Sequence, residues 1–384
     1  MFVRFLILSG NTGGGHNSAA GAVSDCFTAH GDECDIKDAL AFLPHGTSYI
    51  VSNGHVFIYK KAPRLFGFFY RLAENHPAKE NSDSIIYDML TVGARSLKKF
   101  LEANPYDAVI CTHVFAGMIA TEAKRKYGIP KRIYFVSTDY TCSPGVAEIN
   151  ADLFFIPHRL LAPEFEEKRI PKDRIVSSGI PVRQSFYEHY EKDTAKKLLD
   201  LPKDKRIVLL MCGSMGCGPI KELGSLLCHE LPTDAHLVVI CGSNKRLYKE
   251  LKKDLKANNA TIVGFTDQMS LYMDAASLAL TKPGGLSTSE ALAKALPLVL
   301  INAVPGCETR NLDFLTVNNF SQTAGSVERL SMLVCKTLQS PETLESISLR
   351  LKSQFNTNAA EVIRESVLNN IEKNEEEKQK AVCN

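Results

Sequence analysis

Two short apolar runs constrain this chain more than any other feature. Phe5-Leu-Ile-Leu-Ser-Gly10 and Val208-Leu-Leu-Met-Cys-Gly213 are near-copies, one in each half, and both run straight into a glycine turn. Neither alternates polar with apolar residues. A strand with one wet face alternates; an unbroken apolar strand is covered on both faces, which is the mark of a parallel sheet in an α/β fold. Further runs of the same kind follow. The predicted strands are Phe2–Ser9, Ala108–Thr112, Arg132–Ser137, Leu153–Ile156, Ile207–Cys212, Leu237–Cys241, Thr261–Val263, Leu278–Thr281 and Leu298–Ile301. Helical patterns lie between them, including Ser18–His30, Gly117–Tyr127 and Ser287–Ala295. Strand–helix alternation of this kind predicts doubly wound sheets.

Because the opening unit occurs twice, two Rossmann-like domains are expected, 1–180 and 181–384. The join falls near Ser178-Gly-Ile-Pro-Val-Arg183, where glycine and proline punctuate the pattern. The last helix could pack back on the N-terminal domain. Its polar end, Glu372–Lys380, reads as solvated. A length of 384 residues fits two cores better than one. A hydrophobic fraction of 45% with 23% charged residues is globular composition, and a net charge of +2 leaves no global footprint for nucleic acid. The 11 cysteines form no CxxC pair, and Cys111, Cys212 and Cys241 lie in apolar runs. They read as reduced core thiols rather than as a zinc site of paired ligands. The N-terminal apolar run is too short for a secretion signal and flows into the glycine motif, and no stretch approaches the roughly 18 apolar residues of a membrane span. The expected location is the cytoplasm.

The chemistry is expected at the glycine turns. In Gly10-Asn-Thr-Gly-Gly-Gly-His16, Gly14 and Gly15 allow the backbone to approach a ligand, and the following helix aims its free N–H groups at the turn. The spacing misses both familiar nucleotide fingerprints. His16 and Asn17 stand where a P-loop needs Lys and Ser/Thr, and Ser18 stands where GxGxxG needs glycine. His16 sits past the carboxyl end of the first strand, where open α/β sheets bind ligands, and its ordinary titration range suits a general base. A helix cap is its bland alternative. Asp139, in Thr138-Asp139 after another strand, is a second catalytic candidate.

The second half repeats the logic. In Leu280-Thr-Lys-Pro-Gly-Gly-Leu-Ser-Thr-Ser-Glu290, Gly284 and Gly285 turn the chain into a helix that Ser287 and Thr288 can cap, with Glu290 in its first turn. Such an N-terminus can hold a diphosphate. Gly213 and Ser214 form a further phosphate-compatible turn. In Val304-Pro-Gly-Cys-Glu-Thr-Arg-Asn311, Glu308 and Asn311 have the hydrogen-bonding capacity to read sugar hydroxyls.

Taken in order, SGNTGGGHNSAA and TKPGGLSTSEALAKALPLVLINAVPGCETRN resemble the family of monogalactosyldiacylglycerol synthase and processive diacylglycerol glucosyltransferase, over nearly the whole chain. The resemblance implies a GT-B fold with an interdomain cleft, a C-terminal half that binds a UDP-sugar and an N-terminal half that binds the acceptor. It implies that Gly284, Gly285, Ser287 and Thr288 contact the diphosphate, that Glu290 takes the ribose and that Phe265 sits by the uracil. Glu308 would contact the hexose, and His16 would be the base of an inverting transfer. The family's chemistry needs no metal cofactor. Members with PGQE carry glutamine where this chain has Cys307, so UDP-glucose and UDP-galactose both remain as donors.

Residues 56–72, VFIYKKAPRLFGFFYRL, interleave aromatics with Lys60, Lys61, Arg64 and Arg71. That mixture suits an anionic membrane surface, with diacylglycerol or glycosyl-diacylglycerol as the acceptor that the resemblance implies. The expected protein is therefore peripheral on the inner face of the membrane. A nucleotide-sugar epimerase and a non-catalytic UDP-sugar sensor are the alternative readings.

Overall fold

The computed structural model describes residues 3–10, 14–44, 67, 70–71, 92–211, 213, 219–255, 259–301 and 303–383. The chain divides into two compact units. The first comprises Met1–Arg183, Pro305–Cys307 and Thr357–Asn384, and the second Gln184–Val304 and Glu308–Asn356.

In the first unit the order is β1 (Arg4–Ser9), α1 (Gly14–Ala29), β2 (Glu33–Asp38), α2 (Ala94–Ala103), β3 (Ala108–Cys111), α3 (Val114–Tyr127), β4 (Arg132–Val136), β5 (Leu153–Ile156), α4 (Ala162–Glu167) and β6 (Ile175–Ser177). The sheet runs β2-β1-β3-β4-β5-β6, and every pairing is parallel. Its inner strands are the unbroken apolar runs, and β3 and β5 are buried at every position. Helix α1 turns Ala20, Val23 and Phe27 onto the sheet, where the Phe27 ring meets Phe5 edge-on with centroids 4.9 Å apart.

The C-terminal helix, Ala359–Cys383, completes this core. Ile363, Val367 and Ile371 recur at helical spacing and join the same buried cluster as Phe5, Ile110 and Phe155. Burying each such side chain contributes about 1.5–3 kcal/mol. Polar bonds fix the helix in register. The Tyr134 hydroxyl donates to Asn370 Oδ1 at 3.0 Å, Arg132 donates to the same oxygen at 2.9 Å, and Arg364 Nε pairs with Asp32 at 2.8 Å.

The second unit contains α5 (Lys192–Leu198), β7 (Arg206–Met211), α6 (Ile220–Glu230), β8 (Ala235–Ile240), α7 (Lys245–Asp254), β9 (Ala260–Val263), α8 (Met269–Ala275), β10 (Ala276–Thr281) and α9 (Gly285–Ala293). It continues with β11 (Leu298–Leu300), α10 (Cys307–Val317), β12 (Gln322–Thr323), α11 (Val327–Leu338) and α12 (Pro341–Gln354). Its sheet, β12-β11-β10-β7-β8-β9, is also parallel throughout. Counted from β7, this is the strand order of the dinucleotide-binding fold. Among the described residues, no helix is long and apolar enough to cross a membrane.

Three strands escape the sequence pattern: β2, β6 and β12. Each lies at a sheet edge. Edge strands are short and half-wet, so they lack the apolar run that marks a buried strand. In β2 (ECDIKD) no residue is fully buried; Asp35 instead accepts from Tyr106 at 2.7 Å and from Arg4 at 2.9 Å.

The Asp32 side chain is only 3% exposed, so removing its cation strands a buried carboxylate. Arg364→Ala should destabilise the first unit by about 3–5 kcal/mol, the usual cost of halving a buried pair. Denaturant unfolding of the full chain measures this, and an unchanged transition would refute the helix anchor.

Candidate active site

In a doubly wound sheet, ligands gather outside the carboxyl ends of the strands where the strand order reverses. In the first unit that point lies between β1 and β3, which pair directly. Two connections leave it: the glycine turn into α1, and Thr112-His113 into α3. Helix α1 starts at Gly14, four residues before the predicted start, so His16 lies in its first turn. Gly14 is exposed and Gly15 half-buried in that same turn, while residues 11–13 lie outside the described residues.

The His16 ring is anchored at Nδ1. Its Nδ1 lies 3.1 Å from the Thr112 carbonyl oxygen and 2.8 Å from the Thr138 hydroxyl. The Thr112 hydroxyl donates back to the His16 carbonyl at 3.2 Å. A carbonyl only accepts, so a proton on Nδ1 satisfies it, and the neutral ring then carries its lone pair on Nε2.

Helix capping belongs to a different histidine. His113 is the N-cap of α3, and its Nδ1 accepts from the Phe115 N–H at 3.1 Å. A nitrogen that accepts carries no proton, so neutral His113 is protonated on Nε2. The two histidine rings meet edge-on, 4.5 Å apart and inclined at 78°. Gly10 makes room for this pair: a Cβ there would lie 2.7 Å from His113 Cγ. Asp139 is half-buried beside Thr138, and the hydroxyl that reaches the imidazole is the threonine's. Thr112 and His113 were missed as site residues, and Thr138 was noted only beside Asp139. The available signal was a pair of polar residues directly after a fully apolar strand.

In the second unit the order reverses between β7 and β10. Gly213 follows β7 with φ +67°, a backbone that suits glycine; Ser214 lies outside the described residues. After β10, Lys282-Pro283-Gly284 leads into α9. Gly284 is the N-cap, and no side chain caps the helix. The expected capping by Ser287 and Thr288 does not occur, because the helix starts two residues earlier, at Gly285. The Thr288 hydroxyl instead donates backwards to the Gly284 carbonyl at 2.6 Å, and Ser289 to Gly285 at 2.7 Å. Ser287 is half-buried within the first turn. Glu290 falls in the second turn rather than the first, for the same reason. This N-terminus therefore offers backbone N–H groups without side-chain competition, the arrangement that suits an anionic group.

The turn is braced from behind by α10. Asn311, fully buried, donates from Nδ2 to the Pro283 carbonyl at 2.9 Å. Glu308 is held at both carboxylate oxygens, by Lys282 Nζ at 2.9 Å and by the Val304 N–H at 2.8 Å. Lys282 and Glu308 are only 13% and 7% exposed, so each neutralises the other away from water. Lys282 is a further residue missed in the sequence. Phe265, just past edge strand β9, is 74% exposed.

A cavity of about 480 Å³ in the second unit is lined by His189, Asp274, Lys294 and Pro297. It lies at the amino ends of β7, β10 and β11, away from the glycine turns. Lys294 is bonded there to Asp274 at 2.8 Å and to the Glu188 carbonyl.

Comparison with known proteins agrees with this layout. The family model for monogalactosyldiacylglycerol (MGDG) synthase matches residues 16–182, and that for the glycosyltransferase family 28 C-terminal domain matches residues 207–305. Processive diacylglycerol beta-glucosyltransferases of Bacillus cereus (strain 03BB102) and Bacillus anthracis (strain A0248) are each 28% identical over 357 residues, covering 90% of this chain and 89% of theirs. Among solved structures, MurG of Acinetobacter baumannii has a TM-score of 0.63 at 16% identity, covering 97% of this chain and 100% of that one. A putative UDP-N-acetylglucosamine 2-epimerase from Listeria monocytogenes has a TM-score of 0.62 at 12% identity, covering 97% and 98%. At such identities these two show the fold alone, and it is GT-B. The two matched segments follow one another over both sheets, and the chain belongs to the diacylglycerol glycosyltransferase family of enzymes.

Proposed function

We propose that this enzyme moves a hexose from UDP-glucose or UDP-galactose to diacylglycerol or a glycosyl-diacylglycerol, with inversion at the anomeric carbon. The observation that carries the reading is the anchored imidazole: His16 Nδ1 held by the Thr112 carbonyl and the Thr138 hydroxyl at the switch point of the first sheet. A backbone carbonyl there fixes the tautomer, as a carboxylate does in other histidine bases.

The first unit supplies the acceptor side. An acceptor hydroxyl attacks the anomeric carbon from the face opposite the diphosphate, and His16 Nε2 takes its proton. Asp139, beside Thr138, adds negative charge that favours the imidazolium as it forms. The second unit supplies the donor side. The N-terminus of α9, with Gly284, Gly285, Ser287 and Thr288, and the turn at Gly213 and Ser214 stabilise the leaving diphosphate. That role asks for no metal. Glu290 takes the ribose, Phe265 stacks on the uracil, and Glu308 and Asn311 hold the loop that faces the hexose. The acceptor is drawn from the inner face of the membrane through residues 56–72. Of these, Gly67, Tyr70 and Arg71 are described; a Cβ at Gly67 would lie 2.4 Å from Pro305 Cβ. The match to an MGDG synthase model across the first unit supports a transferase over an epimerase, which would need no acceptor.

The purified chain, incubated without added metal with either UDP-hexose and diacylglycerol vesicles, should form glycolipid detectable by mass. His16→Ala should lower kcat by roughly 10²–10⁴, the range for a general base, while UDP binding is retained. UDP binding without glycolipid from either donor would overturn the acceptor assignment, and full activity in His16→Ala would overturn the base. Thr138→Val should cost about fivefold in kcat, the worth of one hydrogen bond of about 1 kcal/mol. Lys282→Met leaves Glu308 buried without its cation. It should destabilise the second unit by about 3–5 kcal/mol and raise KM for the donor, read by thermal melting and steady-state kinetics.

A further inference from the structure

Cys26, His30 and Glu361 converge at the end of α1, away from both glycine turns. Each offers one ligand atom, and these atoms lie within 4.8 Å of one another. Cys26 and His30 are four residues apart, which sets them on one face, and Glu361 comes from the first turn of the C-terminal helix. His30 Nε2 lies 3.6 Å from Glu361 Oε2. A tetrahedral zinc with bonds of about 2.0–2.1 Å to nitrogen and oxygen has edges of about 3.3 Å, so a small side-chain adjustment closes the site.

The histidine is already oriented as a ligand. Its Nδ1 lies 3.0 Å from the Cys26 carbonyl oxygen, which takes the Nδ1 proton and leaves the Nε2 lone pair facing the carboxylate. A ligating histidine with its other ring nitrogen fixed by a carbonyl is the usual outer-shell arrangement. His229 makes the same backward bond, to the Ser225 carbonyl at 2.7 Å, but among the described residues it has no such cluster. His30 and Glu361 are 42% and 37% exposed on their side chains, so an ion can enter and keep a water as fourth ligand.

We propose that Cys26, His30 and Glu361 form a zinc site that clasps the C-terminal helix to α1. Soft sulfur, imidazole and carboxylate together suit Zn²⁺ rather than Mg²⁺ or Ca²⁺. Binding forms the sulfur–zinc bond and releases the Cys26 proton to solvent. Without metal, burial first and the hydrogen-bonded Glu361 carboxylate second push that thiol up to about 12, so it stays protonated and inert. A dication reverses this balance. One helical turn further on, Arg364 already holds Asp32 at 2.8 Å, so the ion and the ion pair fasten the same face of the helix.

The test uses the tag-free full chain and zinc alone, titrated against a chromophoric chelator. One zinc per chain is expected. Cys26→Ser and Glu361→Gln should each weaken binding by more than about 100-fold, since even outer-shell partners cost about 10–100-fold. His229→Gln should leave it unchanged. With free zinc at 100 times Kd, the folded-to-unfolded ratio of the wild type should rise about 100-fold, and hydrogen exchange of residues 359–373 should slow. Cobalt in the site should show a thiolate charge-transfer band that Cys26→Ser lacks. Unaltered zinc affinity in Glu361→Gln, a substitution that keeps the shape of the half-buried side chain, would overturn the proposal. So would the absence of any zinc-dependent rise in stability.

Discussion

A parallel strand covered by helices on both faces leaves little room for polar side chains along its length. That constraint organises everything else in this protein. The inner strands β1, β3, β5, β7, β8 and β10 are spent on the core, so polar work is displaced to where strands end. At each switch point two such ends lie side by side, and the turns there carry the glycines, histidines and threonines of the candidate site.

The same constraint explains how the site is held. Surroundings made of apolar strand and helix supply few charged partners, so the groups are braced by backbone carbonyls. His16 leans on Thr112, Asn311 on Pro283, and Thr288 on Gly284. These partners cannot change rotamer or protonation state. A histidine tethered in that way keeps one tautomer, and a glycine turn tethered in that way keeps its N–H groups aimed at one place. Main-chain carbonyls thus share the positioning of the site with the few side-chain partners it has, Thr138 at His16 and Lys282 at Glu308.

Legibility in the sequence follows the same physics. The apolar runs and glycine turns were readable because burial on both faces, close approach at Gly10 and positive φ at Gly213 demand particular residue types. The edge strands β2, β6 and β12 were not, because half-wet strands make weaker demands. His16 stood out through the glycines before it. Thr112 and His113 did not, since a polar residue after a strand is ordinary until folding brings it beside another such residue. The helix starts were misplaced by a few residues at Gly14 and Gly285. Glycine is a poor helix former, and its presence in a first turn runs against propensity. Lys282 and Glu308 are 26 positions apart. Nothing local announces that one will neutralise the other.

The C-terminal helix has a consequence for how the molecule comes into being. The first sheet begins at Arg4, yet its core is closed by Ile363, Val367 and Ile371, from beyond the second unit. During synthesis the first sheet must wait, with one flank bare, while nearly all of the second unit is made. The second unit, almost continuous in sequence, has all its strands well before that flank is covered. Until then the β1 and β3 flank lies open, so the first unit closes only after the second has all its strands, the reverse of the amino-terminal-first order usual for two-unit proteins.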